Sequence, residues 1–297
     1  MKTVRENAYS KLNLTLDITG REGGYHTLDS VVVTVDLFDR IVVTGRKDAL
    51  ISVTMHGMGS EGIPPEENNA QRAGEAFVSH FKTQGANIRI FKNIPIGAGM
   101  GGSSADAAGT LLALANLYAI SDMDALKTLA DGLGSDTGYL LTGGFARLRG
   151  RGERVEKLGA PPDWHFLVVC PSGGVSAAAC YREYDRQAVS GEPRTERFLT
   201  ALKDNPLWAA RLFGNDLAGA AATLNEETAQ ALSALKALSP LGASVTGSGS
   251  AVFALFETEE LCAWAKSRYR GKGRAYLVKC VDPATVKKWR NPYALGE

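Results

Sequence analysis

The chain has 297 residues, of which 44% are hydrophobic and 22% charged, with a formal net charge of +1. At about 100–200 residues per domain, this is one large or two ordinary domains with a real core. The near-neutral charge excludes a global field for nucleic acid or membrane, no run of about 18 apolar residues offers a bilayer span, and "MKTVRENAYSKLNLTLDI" lacks an apolar signal core, so a cytoplasmic protein is expected.

In chain order, apolar and polar residues alternate from Leu12 to Ile18, which predicts a strand. "TGREGGYH" reads as a glycine turn, "TLDSVVVTVDLFDRIVVTGR" as two β-branched runs, and "DALISVTMHGMG" as a further strand before the loop "SEGIPPEENN". Ala73, Ala76, Phe77 and Phe81 have helical spacing. "NIRIFKNIPI" is a strand that feeds a glycine loop, followed by the helix around "ADAAGTLLALANLYA" and another, "MDALKTLADGLG", closed by Gly134. "FARLRGRGERVEKLG" has the pattern of a hairpin, and "APPDW" that of a linker. "HFLVVCPSGGVS" is a buried strand and turn. Helical pieces follow around "AACYREYDRQ", "TERFLTALKD", "PLWAARLFGNDLAGAAATL" and "ETAQALSALKAL". A second glycine turn, "VTGSGSAVF", lies between apolar strands, and "TEELCAWAKSRY", "RAYLVKCV" and "ATVKKWRNPY" finish the chain. Strands and helices mix without a βαβα rhythm, which predicts α+β. Cys170, Cys180, Cys262 and Cys280 form no CxxC pair and are expected as buried thiols; scattered histidines without HExxH argue against zinc.

The segment "NIPIGAGMGGSSADAAGTLLALANLY" puts glycines and serines ahead of a good helix. A helix start exposes unpaired N–H groups and a partial positive charge, and glycines let that backbone approach a polyphosphate. Hydroxyls of Ser103 and Ser104 add donors that could meet a phosphate-held metal ion. A flexible loop that merely starts a helix is the plainer reading. The Walker pattern is absent, and "GAGMGG" has no early βαβ unit to make it a dinucleotide turn. Phosphoryl transfer also needs charge neutralisation and often a base. Lys11 sits in a strand pattern, where a lysine is ordinarily solvated, and Asp136 in a small-residue turn, where an aspartate ordinarily caps. Pattern alone selects neither.

Three separated motifs, "AYSKLNLTLDITGREGGYHTL", "IPIGAGMGGSSADAAGTLLALANL" and "VTGSGSAVFALF", with "GLGSDTGYLL" and "GNDL" in order between them, resemble the GHMP superfamily of small-molecule kinases. The first motif, with its "GYH", is similar to the branch acting on an alcohol that carries a cytidine diphosphate. The resemblance implies an α+β two-domain GHMP kinase fold: a ribosomal-protein-S5-domain-2-like N-terminal domain over 1–159, which binds ATP, and a ferredoxin-like C-terminal domain over 160–297. It implies ATP and Mg²⁺, a small-molecule substrate bearing cytidine diphosphate, and no nucleic-acid or membrane partner. The metal ligands and oligomeric state stay open.

Residue by residue, the resemblance makes Asp136 the catalytic aspartate and Lys11 its partner. Asn68 matches the adenine-side asparagine, and Pro95, Gly97, Gly99, Gly101, Gly102, Ser103, Ser104 and Ala105 match the phosphate loop. Asn13 would meet the substrate, and Tyr25 and Tyr181 would sandwich a cytosine whose edge His26 reads. "GSDTGY" stands where the family usually has "GADVPF". The alternatives are a GHMP kinase for a small alcohol such as mevalonate or homoserine, or a non-catalytic nucleotide-binding regulator of the same fold.

Overall fold

The computed structural model describes residues 2–57, 64, 68–187 and 193–285. Most of the expected loop at "SEGIPPEENN" and nearly all of "ATVKKWRNPY" lie outside the described residues. The chain forms two compact units. The first comprises Met1–Ser10, Leu37–Ile96 and Gly101–Leu141, and the second Lys11–Asp36, Gly97–Met100 and Thr142–Glu297. The long strands Thr3–Asn13 and Tyr25–Gly45 contribute residues to both.

In the first unit, strand Ile51–Gly57 runs parallel to Ala86–Lys92, which pairs antiparallel with the stretch from Arg40 to Gly45. Parallel neighbours need a crossover, and helix Asn69–Phe81 provides it. Its buried face is Ala70, Ala73, Gly74 and Phe77, close to the expected apolar stripe. Helix Gly102–Tyr118 is buried on nearly every side, as its alanine- and leucine-rich sequence requires. Gly109 lets it approach the sheet: a Cβ there would stand 3.0 Å from Ala8 Cβ and Ile41 Cγ1.

In the second unit, strand Thr15–Glu22 and the start of Tyr25–Gly45 form a hairpin closed by Gly23 and Gly24, both with positive φ. Leu28 to Val33 pair with Phe145–Gly150, which turns back through Arg154–Lys157 in the expected hairpin. A separate antiparallel sheet has the order Gly242–Val245, Val252–Phe256, His165–Cys170, Arg274–Lys279. With helices following its first and third strands in chain order, this is the ferredoxin-like arrangement. Leu167, Val169, Val245, Val252, Ala254 and Leu235 form its core, together with Cys180 and Cys262. All four cysteines are free thiols, three of them buried.

Three elements depart from the sequence expectations. The two β-branched runs are one strand of 21 residues, Tyr25–Gly45, because nothing between them forces a turn. "GNDL" is not helical: Gly214–Asn215 pairs in parallel with Thr15 and Leu16. Residues 11–36, 97–100 and 142–159 pack with the unit that holds the ferredoxin-like sheet, so compactness does not follow a boundary at 159. Pairing of residues 28–33 with 145–150 is one cause, and the glycine-loop contacts below are another.

Candidate functional site

The glycine loop divides into two parts with different demands. Gly97 and Gly99 have φ of 68° and 74°. A Cβ on Gly97 would stand 2.9 Å from Gly174 Cα, and one on Gly99 would collide with the Thr246 carbonyl oxygen and lie 2.9 Å from Gly249 N. Val175 N–H donates to the Gly97 carbonyl at 3.0 Å, and Ala251 N–H to the Ala98 carbonyl at 3.1 Å. The sequence reading gave Gly97 and Gly99 to phosphate; their Cβ positions are taken by protein backbone. Likewise the second glycine turn, 246–250, holds the first loop. Asn215 fastens that turn by donating to Val245 O and Gly247 O at 3.0 and 2.7 Å.

Past the half-buried Pro95, the later part opens a helix. Gly101 is the cap residue of Gly102–Tyr118, at φ 75°, and has no side chain to cap with. The first-turn N–H groups of Gly102, Ser103 and Ser104 therefore aim out of the helix end. Ser103 is exposed and Ser104 half-buried, while Ala105 is fully buried, with its N–H on the Gly101 carbonyl at 2.8 Å. This end can hold an anion; Ala105 can only support it.

Asp136 lies in the same unit, immediately before the short helix Thr137–Leu140. Its side chain makes no capping hydrogen bond to that helix. The turn that carries it rests on the helix start: a Cβ on Gly134 would stand 3.0 Å from Ser104 Oγ.

Lys11 is 3% exposed, against the solvated lysine that strand statistics favour. Its ammonium donates to Asn13 Oδ1 at 2.5 Å and to the Gly99 carbonyl at 2.9 Å. The two-residue strand period puts Lys11 and Asn13 on one face. Asn13 Nδ2 in turn donates to Ser30 Oγ at 2.8 Å, and its backbone N–H to Thr246 Oγ1 at 3.0 Å. A buried cation is thus built into the glycine loop.

Beneath the helix start lies a charge cluster the sequence reading missed. Lys92 contacts Asp39 Oδ2 and stands 2.6 Å from Asp106 Oδ2, with all three side chains buried. Asp39 Oδ1 also accepts from Asn93 N–H and Ile94 N–H, at 2.5 and 2.9 Å. Asp106 Oδ1 is buried without a hydrogen-bond partner. One ammonium cannot balance two buried carboxylates. Burial, reinforced by the Asp39 charge, pushes the Asp106 carboxyl up to about 8 against the pull of Lys92. For Lys92, burial disfavours the charge but the two carboxylates outweigh it, so its pKa is raised. A lysine at the end of an apolar strand and an aspartate inside an alanine-rich helix were the available signals.

Asn68 Oδ1 caps helix Asn69–Phe81 by accepting from Ala70 N–H at 2.9 Å, and its Nδ2 points to Met55 Sδ at 3.0 Å. The next residue faces the loop instead: Asn69 Nδ2 lies 3.4 Å from Ser103 Oγ.

Of the expected base-binding residues, His26, read as the edge reader, stacks on Tyr181. Tyr25 and His26 are successive strand residues, so their side chains leave opposite faces. His26 stacks on Tyr181 with ring centroids 4.8 Å apart and meets the edge of Tyr184. Tyr25 is 57% exposed and lies under the Arg151 guanidinium, 3.8 Å from its ring centroid. The structure stacks His26 directly on Tyr181.

Residues 68–144 match the model of the GHMP kinases N terminal domain, and 193–267 that of the GHMP kinases C terminal. The chain is 38% identical over 258 residues to the 4-diphosphocytidyl-2-C-methyl-D-erythritol kinase of Desulfitobacterium hafniense, covering 85% of this chain and 87% of that protein. The chain belongs to the GHMP kinases. The kinase of the same name from Pelotomaculum thermopropionicum is 35% identical, over 91% of this chain and 95% of its own. Among solved structures, a 4-(cytidine 5'-diphospho)-2C-methyl-D-erythritol kinase superposes with a TM-score of 0.76 at 33% identity, covering 93% and 98% of the two chains. A homoserine kinase from Cytophaga hutchinsonii reaches 0.72 at 18% identity, which shows the shared GHMP kinase fold alone. No helix among the described residues of this GHMP kinase is long and apolar enough to cross a membrane.

Proposed function

We propose that this GHMP kinase transfers the γ-phosphoryl group of ATP to the 2-hydroxyl of 4-diphosphocytidyl-2-C-methyl-D-erythritol, in the cytoplasm, as a step of non-mevalonate isoprenoid synthesis. The observation that carries the chemistry is the buried Lys11 ammonium fastened to Gly99 and Asn13. Like chemistry in relatives at 35–38% identity supports the choice of alcohol.

The helix-start N–H groups at Gly102, Ser103 and Ser104 take the β- and γ-phosphates, and Gly101 leaves room for them. Asp136 accepts the proton of the substrate hydroxyl as its oxygen attacks the γ-phosphorus. The bond to the ADP oxygen breaks in line, and ADP leaves with that electron pair. Lys11 offsets the negative charge developing on the transferred group. Asn13, held by Lys11 and Ser30, presents the substrate side. His26 and Tyr181 receive the cytosine. Among the described residues no group of three His, Cys, Asp or Glu side chains could hold a metal. The hydroxyls of Ser103 and Ser104 are hard oxygen donors that fit Mg²⁺ arriving with ATP, where it would neutralise phosphate charge. In the family's terms, residues 1–159 form the ATP-binding domain and 160–297 its C-terminal companion.

Asp136→Asn tests the assignment. It should lower kcat by about 10²–10⁴, the range for a general base, with ATP binding by calorimetry kept. A variant that retains more than half of wild-type kcat sinks the role. ADP release with the cytidine substrate, beside mevalonate and homoserine, tests the choice of alcohol; turnover of mevalonate or homoserine in its place overturns it.

A further inference from the structure

One carboxylate beside the base site has a geometry that none of the roles above uses. Asp185 lies on helix Ala177–Gln187, four residues after Tyr181 and one after Tyr184, so all three turn to one face. That face meets His26, whose side chain is only 11% exposed. His26 Nε2 stands 2.8 Å from Asp185 Oδ1. Arg21, directly opposite His26 across the hairpin, holds the other carboxylate oxygen. The groups facing the ring are therefore Asp185, Arg21, Tyr181 and Tyr184.

We propose that Asp185 is a positioning residue that fixes His26 as the Nε2–H tautomer and thereby makes the site select an amino-bearing pyrimidine edge. An ionised carboxylate accepts hydrogen bonds and donates none. Partial burial raises the Asp185 pKa, but hydrogen bonds from Arg21 and His26 outweigh it and hold the carboxyl below its ordinary range. The proton of the 2.8 Å bond therefore sits on Nε2. In the neutral ring Nδ1 is then an acceptor. Stacking on Tyr181 keeps the ring plane fixed. An acceptor at Nδ1 pairs with the 4-amino group of cytosine and repels the 4-oxygen of uracil. Stacking alone cannot make that distinction, because every base has a π-face. The inference rests on the cytidine reading above.

The test has two readouts at pH 8, above the ordinary imidazole range. The first is ¹⁵N NMR of the His26 ring with CDP, assigned through His26→Ala. Wild type should show the Nε2–H tautomer and Asp185→Asn a mixture, since an amide can donate or accept. The second is the ratio of kcat/KM for the cytidine substrate over its uridine counterpart. That ratio should fall about three- to tenfold in Asp185→Asn, the worth of one hydrogen bond, while kcat on the cytidine substrate and KM for ATP hold. Asp185→Glu should recover part of it. An Nδ1–H ring in wild type, an unmoved ratio in folded Asp185→Asn, or an equal loss on both substrates overturns the proposal. If wild type phosphorylates neither pyrimidine substrate, the substrate reading fails, and the ring tautomer still decides the role of Asp185.

Discussion

Asp106→Asn probes the buried cluster under the helix start. In the folded chain burial raises this carboxyl from 3.8 to about 8, so near neutrality it keeps its proton when folded and loses it when unfolded. The folded pKa lies above the unfolded one. Its contribution to stability is therefore complete below about pH 4 and is lost as pH rises towards 8. Over that window one proton of difference is worth about 1.4 kcal/mol per pH unit. Asparagine does not titrate, yet its carbonyl oxygen can still accept from Lys92, which stands 2.6 Å from Asp106 Oδ2. The stability of wild type minus that of Asp106→Asn should thus fall by about 3 kcal/mol between pH 5 and pH 7. Urea unfolding at pH 5, 6 and 7, followed by fluorescence of the four tryptophans, measures it. A difference that stays level, or grows with pH, would show that Asp106 is charged in the fold. The two carboxylates would then have to be balanced by something other than Lys92.

Gly99→Ala places a side chain against Thr246 and Gly249 at φ 74° and should destabilise by at least about 2 kcal/mol; Gly101→Ala, at φ 75°, should lose ATP affinity more than stability. Equal thermal losses in the two would erase the division of the loop. Asn68→Ala should cost about 1 kcal/mol of stability through its lost cap, with ATP affinity by calorimetry nearly unchanged. A large affinity loss would restore its adenine-side role. Tyr181→Ala should raise the Kd of the cytidine substrate about five- to 150-fold and leave ADP binding alone, since base stacking is worth about 1–3 kcal/mol. Tyr25→Ala should change neither affinity, and a selective loss of CDP there would support the sandwich.

Local pattern carried much of this protein. Glycines ahead of an apolar run marked a helix start, which the structure puts at Gly102, behind the cap residue Gly101 at φ 75°. Period-two spacing put Lys11 and Asn13 on one face, and the apolar runs marked the strands of the C-terminal sheet, while its ferredoxin-like order was implied by the family resemblance. What pattern could not carry is which partner fills a space. Gly97 and Gly99 were read as phosphate glycines, but distant backbone fills their Cβ positions: Gly174 at Gly97, and Thr246 and Gly249 at Gly99. Asn68 and Asn69 are alike in sequence, and only the helix start decides that the first caps while the second faces Ser103. Tyr25 and His26 were read as one pocket, though strand geometry separates them; that Tyr181 chose His26 depended on where helix Ala177–Gln187 docks. Lys92, Asp39 and Asp106 are scattered over 68 residues, and their meeting is a fact of packing. A charge is read from its letter, but its proton is set by the neighbours that tertiary structure brings to it.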